Sequence, residues 1–202
     1  AAKGFSYIND PKALEPLVEN LGDKVAEVRL ASAEALIQLG ECAVDYLKVA
    51  LFNSRNKYIH KEAAYALSQI KSGGVEALKE GIKREEWWVR EAVAIGLGLT
   101  GDIAVVPILI DSLKEEKVSL VRRSLVEALS KAEHYNPEVI DSLVISLGDQ
   151  DWSVSKAAAS SLGKIGLSAV DKLIIASKDE SSYTRSQYAI RALGEISPTN
   201  PQ

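Results

Sequence analysis

The chain has 202 residues, 47% of them apolar, with 24 Lys and Arg against 28 Asp and Glu, a net charge of −4 and a pI near 5.4. Double-stranded nucleic acid is held mainly by cationic contacts to phosphate, so an acidic chain without a dense Lys/Arg run excludes that partner class. The single Cys42 excludes an intrachain disulfide and a multi-thiolate metal site and suits a reducing, cytoplasmic setting, and no apolar run nears the ~18 residues that insert across a membrane.

In chain order, residues 1–9 read as the end of a preceding helix or as a cap. Phe5 and Ile8 overlay Leu36 and Leu39 one period later, and Asn9 overlays Gly40; Asn and Gly both tolerate a left-handed helix end. Asp10-Pro11 opens the first full repeat, Asp as a cap and Pro where its missing donor has no helical partner to lose. Leu14, Leu17, Val18 and Leu21 follow at helical spacing, then a loop at Gly22-Asp23-Lys24. A second helix runs from about Ala26 to Leu39, with a buried stripe of Val28, Ala31 or Ser32, Ala35, Leu36 and Leu39.

Later repeats rewrite this two-helix plan. Their first helices carry Val44, Leu47 and Leu51, then Val75, Leu78 and Ile82, then Val106, Leu109, Ile110 and Leu113. The fifth carries Ile140, Leu143, Val144 and Leu147, and the sixth Val170, Leu173 and Ile174, with Ser177 where Leu is expected. Gly73-Gly74, Gly101-Asp102, Asn136-Pro137 and Gly166 punctuate the joins, and Pro198 and Pro201 end the helices. No stretch alternates with a period of two, so no sheet is expected.

The second helices carry the clearest signal. Val89…Leu97, with small residues between, recurs as Val28…Leu36, Ile59…Leu67, Val121…Leu129 and Val154…Leu162, with starts 31, 30, 32 and 33 residues apart. A fixed period in this range marks a solenoid, in which each unit buries its apolar face against its neighbours. A sixth copy ends at Ala192-Leu193-Gly194 but starts Tyr183-Thr184-Arg185, with one extra residue. The fold class is therefore all-α: an α-solenoid (superhelix) of about six helix pairs. The repeats span roughly 10–40, 41–72, 73–101, 102–135, 136–166 and 167–198 and form one domain over 1–202.

Ala13-Leu14-Glu15-Pro16-Leu17-Val18 with Val28-Arg29 and Leu36…Leu39-Gly40 resembles the HEAT repeat, and more narrowly the HEAT-like repeat named after phycobilisome lyases. Ala104-Val105-Val106-Pro107-Ile108-Leu109, Val121-Arg122 and Ser161-Leu162-Gly163-Lys164-Ile165-Gly166 match the same motif. The resemblance covers nearly the whole chain. It implies a helix-pair solenoid that serves bilin lyases and chaperones, scaffolds and designed binders alike. It further implies that the Arg after Val, present as Arg29, Arg90 and Arg122, bonds an acidic loop residue of a neighbouring repeat. His60 and Ser155 replace it elsewhere and are expected to loosen the stack locally, while Arg185 takes the role in the sixth copy if its slip is allowed for.

No catalytic, cofactor or metal site is expected, and the chain does not read as an enzyme. His60 and His134 are too few for most His-based metal centres, and His60-Lys61-Glu62 lacks the further His-Glu pairs of the di-iron hydroxylases it superficially resembles. Cys42 is expected to pack like an alanine. Asp23, Glu85, Glu86, Asp149 and Asp151 read as solvated loop caps, and Gly96-Leu97-Gly98 as glycines that let helices approach.

The resemblance implies that second helices line a concave face. The residues expected to point outward there are those just before the Val and those two, three and six after it. Counted on this chain, they place Tyr58, Lys61 and Tyr65 in the second repeat and Trp87, Trp88, Glu91 and Ile95 in the third. Leu120 and Arg123 follow in the fourth and Trp152 and Lys156 in the fifth, with Glu62, Ala92 and Ser124 also counted outward. Exposed Trp, Tyr and Arg are what binding hot spots are made of. These residues are the candidate site for a protein or peptide partner, and Lys57, Lys61, Arg90 and Arg123 suit an acidic or mixed one. A bilin lyase subunit or bilin chaperone is the alternative; a HEAT-like DNA glycosylase is disfavoured by the acidic balance. The apolar ends are expected to meet another array, a partner or a second copy.

Overall fold

The computed structural model describes residues 11–70, 72–131 and 136–196. Phe5, Ile8, Asn9, Asp10, His134, Pro198 and Pro201 lie outside the described residues. Among those described are twelve α-helices and no strand. They pair as α1 (Pro11–Asn20) with α2 (Ala26–Leu39), α3 (Val44–Asn53) with α4 (Lys57–Gln69), and α5 (Ser72–Gly81) with α6 (Trp87–Leu99). The remaining pairs are α7 (Val106–Glu115) with α8 (Ser119–Leu129), α9 (Pro137–Ser146) with α10 (Trp152–Ile165), and α11 (Val170–Ser177) with α12 (Tyr183–Glu195).

The residues cluster into two compact units, 1–100 and 101–202. Within each unit first helices pack beside first helices and second beside second, the arrangement of an α-solenoid. The periodic leucines account for it. Leu36, Leu67, Leu97, Leu129 and Leu162 are wholly buried, as are Val89, Val121 and Val154 two turns earlier. Each Leu taken from water contributes roughly 1.5–3 kcal/mol, and each is shared with the adjoining pair. In α2 the residue turned inward is Ser32, and Ala31 is exposed. Ile174 departs from its expected core position: it is 40% exposed, and Ala176 is buried instead.

The joins explain three glycines. Gly40, Gly101 and Gly166 have φ of 62°, 66° and 74°, and each leads into a short 3-10 turn before the next first helix. At Gly40 and Gly166 ψ is −135° and −136°, far from the ordinary left-handed helical end and in a region open essentially to Gly alone. Asn would not substitute freely there. Gly73 and Gly74 are not a join: they lie in the first turn of α5, where a Cβ on Gly74 would sit 2.1 Å from the Leu67 carbonyl oxygen.

The 3-10 turn Gly40–Ala43 also overturns the packing expected of Cys42. The tighter turn points Ala43 inward and leaves Cys42 exposed.

The sixth second helix carries no extra residue. Helix α12 starts at Tyr183 and Leu193 falls ten positions on, just as Leu162 follows Trp152 in α10. Arg185 therefore occupies the slot of Val154, and Ser186 the slot of the repeated Arg.

Candidate partner-binding face

The repeated Arg is architectural. Arg29, Arg90 and Arg122 each donate from Nη1 to the carbonyl oxygens six and five residues back, closing the loop between the two helices of their own pair. Arg29 and Arg122 also stitch neighbouring pairs. Arg29 Nε reaches Glu62 on α4 at 3.2 Å, and Arg122 Nε and Nη2 grip Asp149 at 2.7 and 2.8 Å. Asp149 is thus an ion-pair partner, not a solvated cap. Its hydrogen bond raises the Arg122 pKa above the ordinary guanidinium value.

The two replacements each keep a hydrogen bond back to the preceding first helix or to the loop after it. Buried His60 donates from Nδ1 to the Leu51 carbonyl at 2.8 Å, and Ser155 Oγ donates to the Asp149 carbonyl at 3.1 Å. Ser186, in the same slot, donates to the Ser177 carbonyl at 2.6 Å, while Arg185 binds Asp179 of its own loop.

Asp151 does cap α10: its carboxylate accepts from the Ser153 hydroxyl and backbone N–H at 2.7 and 2.9 Å. Those bonds, the hydroxyl first, lower its pKa from 3.8 to about 2. The Asp179 carboxyl is likewise held below its usual range, first by the Ser181 hydroxyl. A depressed carboxylate stabilises the fold above its unfolded pKa, and that contribution is lost as pH falls through the folded one. For Asp151 the window is therefore pH 4 down to about 2. Asp151→Asn keeps an accepting oxygen without the charge, so its thermal midpoint should lie below that of the parent at pH 7 and converge with it at pH 2. A constant gap would show that the charge plays no part.

The outward positions divide by helix turn. Numbered from the first residue of each second helix, positions 1, 2, 5 and 9 reach the surface. Trp87, Trp88, Tyr58, Leu120 and Trp152 are exposed at positions 1 and 2, and Lys61 and Lys156 at position 5. Glu91 and Arg123, also at position 5, and Tyr65 and Ile95, at position 9, are half-buried. Position 6 is not outward. Ala92 and Ser124 are buried, and Glu62 is half-buried beneath Arg29 of the adjacent second helix.

The rings differ in how they are held. Trp87 and Trp88 meet edge to face, centroids 5.8 Å apart. The Tyr58 ring lies under the Arg29 guanidinium at 4.4 Å and beside Lys57 at 5.2 Å, so it also ties α4 to α2. Trp152, 66% exposed, touches Lys156 at 5.8 Å and has the freest ring of the three tryptophans. Two aromatics escaped the sequence reading. Tyr183, 76% exposed, stands at position 1 of α12, the counterpart of Trp152, and Tyr188 donates its hydroxyl to the Trp152 carbonyl at 3.4 Å. With Arg185 in the Val slot, the motif that locates these positions is hidden.

The net charge conceals a division. The six first helices carry five Lys and Arg against ten Asp and Glu, and the six second helices ten against six. An open groove at the loop edge of the second unit is lined by Lys117, Arg122, Asp149 and Arg185, but its arginines are engaged as described above. Among the described residues, no three His, Cys, Asp or Glu side chains converge as metal ligands, and no helix is long and apolar enough to cross a membrane.

Family profiles described as HEAT repeat and HEAT repeats match residues 13–43 and 44–130. The chain is a HEAT-repeat protein. No curated protein sequence matches it. A structure from work on microtubule plus-end tracking by XMAP215, CLIP-170 and EB1 is similar at 18% identity and a TM-score of 0.55, covering 93% of this chain and 92% of that one. An engineered protein is similar at 23% identity and a TM-score of 0.51, over 91% of this chain and 96% of its own. The CpcE–CpcF complex of phycocyanin lyase from Nostoc is similar at 17% and 0.48, over 91% and 99%. At these identities the likeness is one of fold.

Proposed function

We propose that this HEAT-repeat protein is a non-enzymatic binding module or scaffold that holds a protein or peptide partner along its second helices. The observation that carries this reading is that all three Trp residues stand in the first turn of a second helix with their rings exposed. A monomer gains nothing by leaving large rings in water, whereas an interface uses them as anchors. Within each unit the second helices pack directly on one another, so their outward residues lie side by side. A cytoplasmic setting fits the exposed thiol of Cys42.

Capture of proteins from the native source, comparing the parent with Trp88→Ala, tests the reading. Trp88 is 42% exposed, and its ring meets that of Trp87 edge to face. Its removal should weaken the captured partner by about 2 kcal/mol, roughly 30-fold, with an unchanged melting temperature. Tyr58→Ala should lower both binding and stability, because its ring also carries Arg29. If Trp88→Ala lowers only the melting temperature, the rings are structural and the binding reading fails.

A further inference from the structure

The basic side chains of the second helices fall into two groups. Arg29, Arg122 and Arg185 are spent on carboxylates, and Arg90 on loop carbonyls. Those at position 5 are not. Lys61 and Lys156 have no carboxylate partner among the described residues. Arg123 has only Glu127, at 3.7 Å and beyond hydrogen-bond distance, and its buried Nε has no hydrogen-bond partner. In the second unit, Arg123 and Lys156 stand at the same position of adjoining helices, α8 and α10. Helix α10 has two Lys and no acidic residue.

Beside this pair lies the most exposed aromatic surface of the unit. Trp152 and Tyr183 hold position 1 of α10 and α12, Tyr188 links the two helices, and Ile190 is exposed on α12. A Lys156 without a carboxylate and an Arg123 held only by a long ion pair to Glu127, next to uncovered rings, suit a ligand that brings carboxylates and an apolar side chain together.

We propose that the outward face of α8, α10 and α12 seats an acidic, extended segment of a partner protein, with carboxylates on Arg123 and Lys156 and an apolar side chain against Trp152 and Tyr183. The proposal rests on the binding reading above and names its partner's chemistry. Neighbouring helices lie roughly 8–10 Å apart, and a segment in the extended polyproline II conformation rises about 3.1 Å per residue with three residues per turn, so every third side chain meets a successive helix. A phosphate polymer is the poorer match. The free cations are few, and a chain of net charge −4 repels a dense polyanion at a distance.

The test uses the full chain and two labelled peptides, (Glu-Glu-Leu)4 and (Lys-Lys-Leu)4, with a 12-nucleotide oligothymidylate as a polyanion control, followed by fluorescence anisotropy. The Glu peptide should bind, weaken as salt rises from low to physiological strength, and lose about tenfold in affinity with Lys156→Glu and again with Arg123→Glu. Trp152→Ala should lose a similar amount, and the Lys peptide should not bind. Circular dichroism melts identify any variant that fails to fold, and Lys156→Gln, which removes the charge but keeps a polar side chain, then replaces it. Equal binding of both peptides, an unchanged affinity in folded Lys156→Glu, or tighter binding of oligothymidylate would overturn the proposal. If the Glu peptide fails while Trp88→Ala still releases the captured partner, the partner chemistry is wrong and the binding reading stands. If both fail, the face is not a binding site.

Discussion

Asp149→Ala is expected to lower the free energy of unfolding by about 3 kcal/mol, read from the urea midpoint at unchanged slope. Asp149 accepts from Arg122 Nε, from Arg122 Nη2 and from the Asp151 backbone N–H. The two side chains are 17% and 12% exposed, so water replaces little of what is lost. Removing the carboxylate strands a guanidinium held in place by its bonds to the Glu116 and Lys117 carbonyls. Arg191→Ala is the contrast. Its partner Glu195 lies four residues on along the same helix and both are well exposed, so the cost should be a few tenths of a kcal/mol. Equal losses in the two variants would show that the Arg122–Asp149 stitch is not special.

Gly96→Ala and Gly194→Ala should change stability in opposite directions. Alanine is the better helix former by about 1 kcal/mol, and that gain is all that operates at Gly194, where a Cβ meets nothing within 4 Å. At Gly96 the new Cβ would sit 2.9 Å from the Ala64 carbonyl oxygen and 3.1 Å from Leu78 Cδ2. A backbone carbonyl in a packed helix cannot turn aside, so α6 must move off α4, at a cost of roughly 1–3 kcal/mol that outweighs the helical gain. Gly96→Ala should therefore destabilise by up to about 2 kcal/mol, and Gly96→Leu by more. Gly194→Ala should be neutral to stabilising by up to ~1 kcal/mol. A stabilising Gly96→Ala would mean that α4 and α6 have room to spare.

The sequence already reads Gly96 as a glycine of close helix approach, since it stands just before the repeated Leu whereas Gly194 stands just after it, but only the structure supplies the carbonyl it would strike. The same limit appears on the candidate face. The rings at positions 1 and 2 were legible, because a residue just before the buried Val projects from the free end of its helix whatever its neighbours do. Position 6 was not. The repeat spacing turns Glu62, Ala92 and Ser124 outward, and only tertiary packing covers them, as Arg29 of the adjacent second helix covers Glu62. Tyr183 and Tyr188 were missed because Arg185 replaces the apolar residue that marks the register.

By itself the sequence determined the all-helical class, the pairing of helices, the bounds of α2 and the row of leucines from Leu36 to Leu162. Each of these follows from contacts within one pair or with the same residue one period away, so a spacing of about three to four and a repeat near 31 encode them fully. Tertiary structure alone decided which residues of each second helix are covered, which Arg grips a carboxylate of a neighbouring pair, and the turns at Gly40 and Gly166. Those depend on distances between elements and on backbone angles at the joins, and residues apart in sequence meet there in ways that no local pattern records.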